Sequence, residues 1–136
     1  MSFTHKALNL TADKNLIYTA MSKHLFYYRM HISKYVIEQK GVPLNPFMIF
    51  DYFLLDTVNR DLVREGNNNL VKRADELWVF GQISNGVFTE IKLASSLDKT
   101  IRYFKIEKPH KIVSVLVQDV EMEEGVKRFR SELPAG

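Results

Sequence analysis

Residues 74–94 of the chain are Ala74-Asp75-Glu76-Leu77-Trp78-Val79-Phe80-Gly81-Gln82-Ile83-Ser84-Asn85-Gly86-Val87-Phe88-Thr89-Glu90-Ile91-Lys92-Leu93-Ala94. An uninterrupted apolar run over 77–80 has about the length of a strand, and a small polar loop begins at Gly81. From Val87 the apolar residues recur at helical spacing. The pattern predicts a strand, a loop and a helix, which is the repeating unit of an open α/β sheet.

The loop of this unit is a candidate binding site. Ser84, Asn85 and Gly86 follow the strand, and ligands of open α/β sheets bind outside the carboxyl ends of the strands. The N–H groups at a helix start favour an anion. Glu90 follows about one turn into the helix, where we expect the positive end of the helix dipole to keep its carboxylate ionised. Such a carboxylate can act as a nucleophile towards a sugar carbon.

The motif Ser-x-Gly-x-x-x-Glu-Ile-x-x-Ala, which begins at Ser84, follows an Asp-x-x-apolar strand that begins at Asp75. This combination resembles the nucleoside 2-deoxyribosyltransferase superfamily, which includes nucleoside 5'-monophosphate N-glycosidases. The strand Asp-Glu-Leu-Trp-Val-Phe-Gly is similar to that of an uncharacterised branch of the superfamily. The resemblance extends over about residues 16–104.

The resemblance implies that Glu90 attacks the anomeric carbon of a nucleoside or nucleotide and displaces the base. Ser84 matches the position that contacts the 5'-phosphate in the monophosphate hydrolases, whereas the base-exchanging transferases tend to carry aspartate there. The expected partner is therefore a small nucleoside or nucleotide, and hydrolysis of a phosphorylated one is favoured. No metal or organic cofactor is implied. Superfamily members commonly assemble as homo-oligomers in which a neighbouring subunit completes the pocket, so a homo-oligomer is expected.

Composition restricts the class of protein. The length of 136 residues predicts a single domain, 1–136, with residues 1–15 as a loosely held arm. The absence of cysteine excludes disulfides, thiol catalysis and cysteine-ligated zinc. A net charge of +3 without a basic block gives no sign of nucleic-acid binding. No apolar run predicts a membrane span or a signal peptide, so a cytoplasmic location is expected.

The first strand is predicted over 16–20, and Ser22 is the predicted N-cap of a helix that reaches about residue 40 and ends at Gly41. Its buried stripe is predicted to contain Phe26, Met30, Ser33 or Tyr35, and Ile37. The turn 21–24 would face the same crevice as Ser84. In the superfamily this loop often holds glycine or arginine. Here Ser22, Lys23 or His24 would take that place, and Tyr18 would line the sugar site.

A second extended segment, 41–46, resembles a superfamily strand that ends in a proline-containing loop beside the site, which makes Asn45 a candidate substrate contact. A helix is predicted over 48–64, a break over 66–69 and a further helix after it. The aromatic residues of this region are interpreted mainly as core, with one or two as walls of a base pocket; they are Phe47, Phe50, Tyr52 and Phe53.

Asn67 matches a superfamily position that commonly holds a catalytic aspartate. An asparagine can bind a ribose hydroxyl but has no titratable proton to give to the leaving base. Two hypotheses follow. Either the acid comes from elsewhere, with Asp56, Asp61 and Glu65 as candidates, or the protein is a non-catalytic nucleotide-binding or sensing module.

Later segments complete a predicted flavodoxin-like, Rossmann-like α/β fold: a three-layer sandwich with a mostly parallel five-stranded sheet and helices on both faces. The fourth strand is predicted over 101–106. Residues 112–117 are predicted as the fifth strand in preference to the start of the last helix. That helix is predicted over 121–133.

Overall fold

The computed structural model describes residues 2–108 and 110–136, except for the side chains of Tyr52 and Phe53. The strands are β1 Leu16–Met21, β2 Val42–Leu44, β3 Glu76–Phe80, β4 Thr100–Glu107 and β5 Lys111–Ser114. The α-helices are α1 Arg29–Glu38, α2 Pro46–Ile49, α3 Arg60–Arg73 and α4 Asn85–Ser96. Segments of 3-10 helix occur at Lys6–Asn9, Lys23–Tyr28, Tyr52–Asp56, Val117–Asp119 and Glu124–Glu132.

The strands form one sheet in the order β2-β1-β3-β4-β5. β1 pairs in parallel with β2 and β3, β3 pairs in parallel with β4, and β5 is antiparallel to β4. The prediction of a mostly parallel five-stranded sheet with helices on both faces is confirmed. The strand order reverses between β1 and β3, so the loops after these two strands flank the position at which open α/β sheets bind ligands.

Successive side chains of β1 point to opposite faces of the sheet, so they join two different hydrophobic cores. Ile17 and Met21 join the core under α1, whereas Tyr18 and Ala20 join the core under α3 and α4. Val71 of α3 lies in the second of these cores, as do Val87, Ile91 and Ala94 of α4. Any polar side chain on that face of β1 is consequently enclosed between the sheet and these two helices.

The region after β1 differs from its prediction. Ser22 is an N-cap, as predicted, but it caps a 3-10 helix, and α1 begins only at Arg29. The buried side of α1 consists of Ile32, Ser33 and Val36, and Met30 and Ile37 are exposed. Of the predicted stripe, Ser33 is buried and Tyr35 packs against the core under α1, but the prediction was wrong for Met30 and Ile37. A 3-10 helix has fewer residues per turn than an α-helix, so the first segment changes which side of the second faces inward.

The end of α1 also differs from its prediction. Lys40, with φ 71°, adopts the left-handed conformation that was expected of Gly41. Gly41 has a different role, because a Cβ placed there would lie 2.8 Å from Ile17 Cγ1. The glycine thus permits close approach between the end of α1 and β1.

The predicted helix over 48–64 and the break over 66–69 were wrong. α2 ends at Ile49, and α3 continues through 66–69 without interruption. Asn59 starts α3, since its side chain accepts a hydrogen bond from Asp61 N at 2.8 Å. Gly66 inside α3 makes room for the ring of Phe50, whose Cζ would lie 2.7 Å from an added Cβ. Phe47 packs against the core under α1, as the core interpretation expects; the calls on Tyr52 and Phe53 concern side chains outside the described part.

The C-terminal segment holds the loop that follows β3. Ile83 N donates to Glu121 O at 2.9 Å, and Glu123 N donates to Ile83 O at 2.9 Å. The helix predicted over 121–133 was wrong in its start and type, because 121–123 are extended and the helix is a 3-10 segment. Val126 and Phe129 are three residues apart and both pack on the core under α4, which suits the three-residue turn of a 3-10 helix.

Candidate active site

Tyr18 and Glu90 form the centre of the candidate site. Tyr18 is fully buried in β1, and its hydroxyl donates a hydrogen bond to the Glu90 carboxylate on α4. The local fold explains the contact. Val87, Ile91 and Ala94 bury the inner side of α4, and Glu90 shares that side by helical spacing, so its side chain is directed toward the sheet. The structure thereby brings together two residues that are 72 positions apart.

Burial controls the ionisation of this pair. Desolvation raises the pKa of Glu90 to about 7, although the hydrogen bond from Tyr18 lowers it in part. The pKa of Tyr18 is raised well above its ordinary value by burial and by the neighbouring carboxylate. The expectation that the helix dipole would keep Glu90 ionised was wrong, because Glu90 is the sixth residue of α4 and the dipole acts mainly within the first turn. Near neutral pH both forms of Glu90 are present.

The loop before α4 has an open helix start. Ser84 is the N-cap, and its hydroxyl accepts a hydrogen bond from Val87 N at 3.2 Å. Asn85 and Gly86 are exposed, and no atom lies within 4 Å of a Cβ built on Gly86. The N–H groups of the first helical residues have no partner within a helix. Asn85 and Gly86 therefore offer donors to an anion in open space.

The loop after β1 lies next to this loop. Gly81 has φ 77°, and a Cβ placed on it would lie 2.6 Å from Leu25 Cδ1, so the two loops touch. Ser22 is buried and its hydroxyl accepts a hydrogen bond from His24 N at 3.3 Å. Lys23 and His24 are exposed. Two predicted cationic residues thus flank the junction of β1 and β3 without being engaged in the core.

Asn67 lies on α3, which packs against both β1 and α4. It is one helical turn before Val71, a member of the core that contains Tyr18. Its side-chain Oδ1 is buried and has no hydrogen-bond partner among residues 2–108 and 110–136. A buried acceptor that lacks a hydrogen-bond donor lowers the stability of the fold. An N–H or O–H group of a ligand would supply the missing donor.

The three carboxylates proposed as alternative acids lie on the surface. Asp56 and Glu65 are exposed, and Asp61 is exposed and bonded to Arg64 at 2.9 Å. Glu65 is two residues from Asn67, and residues at that spacing do not share a side of a helix. None of the three is placed beside Tyr18 by a described hydrogen bond.

Asn45 has a different setting from the other predicted contacts. It is buried, its Oδ1 accepts from Phe47 N at 3.1 Å, and its Nδ2 donates to Ser33 Oγ at 3.2 Å and Arg29 O at 3.3 Å. The side chain joins the end of β2 to α1 and caps α2. Its hydrogen-bonding capacity is used within the protein.

Replacement of Asn45 by alanine is expected to lower the free energy of unfolding by about 2 kcal/mol, because a helix cap and buried hydrogen bonds are lost together. Urea denaturation measures this change. Asn59→Ala is the matched control, since it removes an exposed cap and is expected to cost about half as much. Equal effects of the two substitutions would contradict the structural role of Asn45.

Two cavities open at the carboxyl ends of β3 and β4. One of about 400 Å³ is lined by Gln82, Met122 and Arg130 among others, and one of about 290 Å³ by Leu25, Gly81 and Phe104 among others. Neither is lined by Tyr18 or Glu90. The size of a cavity therefore does not identify the candidate site; the Tyr18–Glu90 contact does.

Within residues 2–108 and 110–136, no group of three or more histidines, aspartates or glutamates is placed to hold a metal ion. No helix in the same part of the chain has the length and apolar character needed to cross a membrane.

The pairing of Tyr18 with Glu90 was not predicted from the sequence. Tyr18 was expected only to line the sugar site, because its partner is distant in the chain. The available signal was periodicity: the residue lies in a short β-prone run, and alternation places every second side chain on the face that α4 covers. Register between β1 and β3 decides which residue meets Glu90, and the sequence alone does not give this register.

Comparison with known proteins gives a family and a fold. A family model described as a domain of unknown function, DUF7768, matches residues 17–104. No curated protein matches the chain. A 2-desoxiribosyltransferase from Leishmania mexicana is similar in structure, with a TM-score of 0.52, 14% identity and coverage of 83% of this chain and 85% of that one. The CMP N-glycosidase BcmB from Clostridium botulinum has a TM-score of 0.47 and 18% identity, with coverage of 69% and 71%. At these identities the likeness concerns the fold.

Proposed function

Because the chain belongs to the DUF7768 family, whose description assigns no activity, we propose its function from its own site: cleavage or transfer at the N-glycosidic bond of a nucleoside 5'-monophosphate or a related nucleotide. The observation that carries the proposal is the half-buried Glu90, whose carboxylate accepts a hydrogen bond from the buried Tyr18 between the sheet and α4. A fold shared with a 2-desoxiribosyltransferase, at a TM-score of 0.52, supports it.

In the proposed reaction the ionised Glu90 attacks the anomeric carbon of the sugar. A carbon–oxygen bond forms as the carbon–nitrogen bond to the base breaks, and the base leaves with the electron pair and takes up a proton. Water then attacks the same carbon and releases the sugar phosphate and the glutamate, as in retaining glycosidases. A second base in place of water would give exchange. Ser84 at the phosphate position favours hydrolysis.

The substrate contacts in the proposal follow from the two adjacent loops and α3. Ser84 and the N–H groups of Asn85 and Gly86 would bind the phosphate, with Ser22, Lys23 or His24 opposite them. The Oδ1 of Asn67, which has no partner in the part of the chain that the structure describes, would accept a hydrogen bond from the sugar or the base. An amide gives no proton, so the departing base would be protonated by water or by an exposed carboxylate.

A specific pair of observations also supports a second candidate function, a nucleotide-binding or sensing module without turnover. Glu90 is only partly ionised at neutral pH, and the resemblance matches Asn67 to a position where the superfamily commonly has aspartate. A module of this kind would use the same helix start and adjacent loops for binding. It would have no reaction to lose when Glu90 is changed.

The two functions are distinguished by incubating the protein with ribo- and deoxyribonucleosides and their 5'-monophosphates, followed by chromatography for free base. Release of base from a monophosphate, and little from the matching nucleoside, is expected. Release from the nucleoside alone would contradict the role of the Ser84 loop. Thermal stabilisation by a nucleotide without release of base would instead identify the binding module.

Tyr18→Phe is expected to move the acidic limb of the pH–rate profile to higher pH by about 0.5–1 unit. The hydrogen bond from Tyr18 lowers the pKa of Glu90 because it is stronger to the ionised carboxylate than to the protonated carboxyl group, and this difference is worth about that much. The measurement is kcat/KM against pH. Tyr103→Phe is the matched control, because it removes a hydroxyl from the same core whose partner is Pro134 O. A profile unchanged by Tyr18→Phe would remove Tyr18 from the mechanism.

A further inference from the structure

Asn67 carries a hydrogen-bond acceptor that the described part of the chain leaves unused. Its Oδ1 is buried and has no partner within residues 2–108 and 110–136. The residue as a whole is half-buried, so part of it is open to solvent. Within the same residues no hydrogen bond holds the amide group, and the torsion that turns such a group is broad, so rotation can present Oδ1 to a ligand at the open part.

Asn67 faces the core that contains the Tyr18–Glu90 contact. Leu70 and Val71, which follow it by one turn of α3, pack in the same core as Tyr18. Residues three and four positions apart share one side of a helix, so Asn67 is directed toward this core as well. α3 also packs against β1 and α4, the two elements that carry Tyr18 and Glu90.

The position of Asn67 along α3 places it at a height similar to that of Tyr18. Asp75 N, which comes just after α3, donates to Leu16 O at 2.8 Å and joins the end of α3 to the start of β1. α3 leads back to the start of β3, so it runs opposite to the parallel strands β1 and β3. Asn67 lies about 9 Å from the end of α3 along the helix, and Tyr18 lies about 7 Å from Leu16 along β1.

The stereochemistry of a nucleotide determines which of its groups would meet this acceptor. In a β-linked nucleotide the base projects from one face of the sugar, and the 2'- and 3'-hydroxyl groups project from the other. A nucleophile that displaces the base attacks from the hydroxyl face, and the 2'-hydroxyl is on the carbon next to the one attacked. An acceptor beside Glu90 therefore meets the 2'-hydroxyl. Hydrogen bonds to this group strengthen in the transition state of retaining glycosidases.

We propose that Oδ1 of Asn67 accepts a hydrogen bond from the 2'-hydroxyl of the sugar, so that the substrates are ribonucleotides and not 2'-deoxyribonucleotides. This inference rests on the proposed function, because attack by Glu90 fixes which face of the sugar is turned toward α3. A deoxyribonucleotide would leave Oδ1 without a donor. Sites built to bind a hydroxyl group discriminate strongly against ligands that lack it.

Binding to Glu90→Gln measures the preference for the sugar without turnover, because the variant lacks the attacking oxygen and keeps the shape of the side chain. Calorimetry compares each common ribonucleoside 5'-monophosphate with the 2'-deoxyribonucleotide of the same base. The dissociation constant of the ribonucleotide should be lower by about tenfold, since one hydrogen bond to a buried acceptor is gained. Equal affinities, or tighter binding of the deoxyribonucleotide, would overturn the proposal.

Substitution of Asn67 tests whether its side chain causes the preference. The 2'-hydroxyl withdraws electrons and by itself slows departure of the base, so the ratio of kcat/KM for ribonucleotide over deoxyribonucleotide is compared between variants. Asn67→Leu should lower this ratio by about tenfold, whereas Asn67→Asp, which retains an acceptor, should preserve it. Asn68→Leu, at the exposed neighbouring asparagine, is the matched control and should give the wild-type ratio. An unchanged ratio in Asn67→Leu would contradict the assignment.

The proposed function and the role of Asn67 can fail separately. Absence of base release from every nucleotide would reject glycosidic cleavage, and the affinities of Glu90→Gln would still test the contact with the sugar. Release of base with a ratio that Asn67→Leu does not change would retain glycosidic cleavage and reject the role of Asn67. The comparison of affinities leaves Asn67 in place, so it gives a result even where Asn67→Leu does not fold.

Discussion

Glu90→Ala is expected to abolish release of the base, with a loss of kcat/KM on the order of 10⁴-fold or more, because removal of a covalent nucleophile leaves only binding and positioning. Binding of the nucleotide, measured by calorimetry, should persist, since the N–H groups at the start of α4 and the loop after β1 are intact. The substitution removes a desolvated carboxylate and not an apolar contact, so the protein should remain folded.

Two variants control this experiment. Glu90→Gln keeps the shape of the side chain and can accept a hydrogen bond from Tyr18, but it has no anionic oxygen, so it should be as inactive as Glu90→Ala. Glu132→Ala removes a surface carboxylate whose partner, Lys92, lies on α4 as Glu90 does. This variant should keep full activity. Activity retained by both Glu90 variants would exclude Glu90 as the nucleophile.

The second large effect is a dependence of stability on pH that originates in Glu90. Its pKa is about 7 in the folded protein against an ordinary value of 4.5. Below pH 4.5 the folded and unfolded chains both carry the proton. Between 4.5 and 7 the unfolded chain loses its proton while the folded one retains it, so stability falls as the pH rises and the loss is complete above 7. This difference in pKa between the folded and unfolded chain corresponds to about 3 kcal/mol of stability for an enclosed group. Residual contact of Glu90 with solvent reduces the contribution to about 2 kcal/mol.

Urea denaturation of the wild type and Glu90→Gln at pH values from 4.5 to 8 measures this contribution. The glutamine does not titrate, so the stability of the variant relative to the wild type should increase by about 2 kcal/mol across this range. Glu124→Gln, at an exposed residue, should follow the wild type at every pH. A constant difference between the wild type and Glu90→Gln would show that the pKa of Glu90 is not raised.

The sequence correctly predicted those strands, helices and caps whose characteristic residues lie close together in the chain. The run 77–80, and the polar loop and helix predicted after it, agree with β3 and α4. The sheet class followed from the repeated strand and helix units. Ser22 was also identified as a cap, because a serine before a helical segment needs no distant partner to act.

Elements whose form depends on distant contacts were not predicted. Glycine and three asparagines suggested a break at 66–69, but packing of Phe50 on Gly66 keeps this segment inside α3. Residues 121–123 were assigned to a helix, but their backbone pairs with Ile83, almost forty positions earlier. The pKa of Glu90 depends on the enclosure of its side chain against β1, and the spacing of nearby residues does not show this contact. For this reason the pKa was predicted to be lowered, whereas it is raised.

Residues 121–123, whose backbone pairs with Ile83, lie outside the region that the family model matches. The region shared with the family ends at residue 104, so it contains Tyr18 and Glu90 but not the backbone that fixes Ile83. A chain trimmed to the shared region would retain Tyr18 and Glu90 and lose the backbone that supports the loop before Ser84. Substitutions after residue 104 can therefore alter the support of the loop before Ser84 without changing Tyr18 or Glu90, so the C-terminal quarter is the part to vary when only this loop is to be altered.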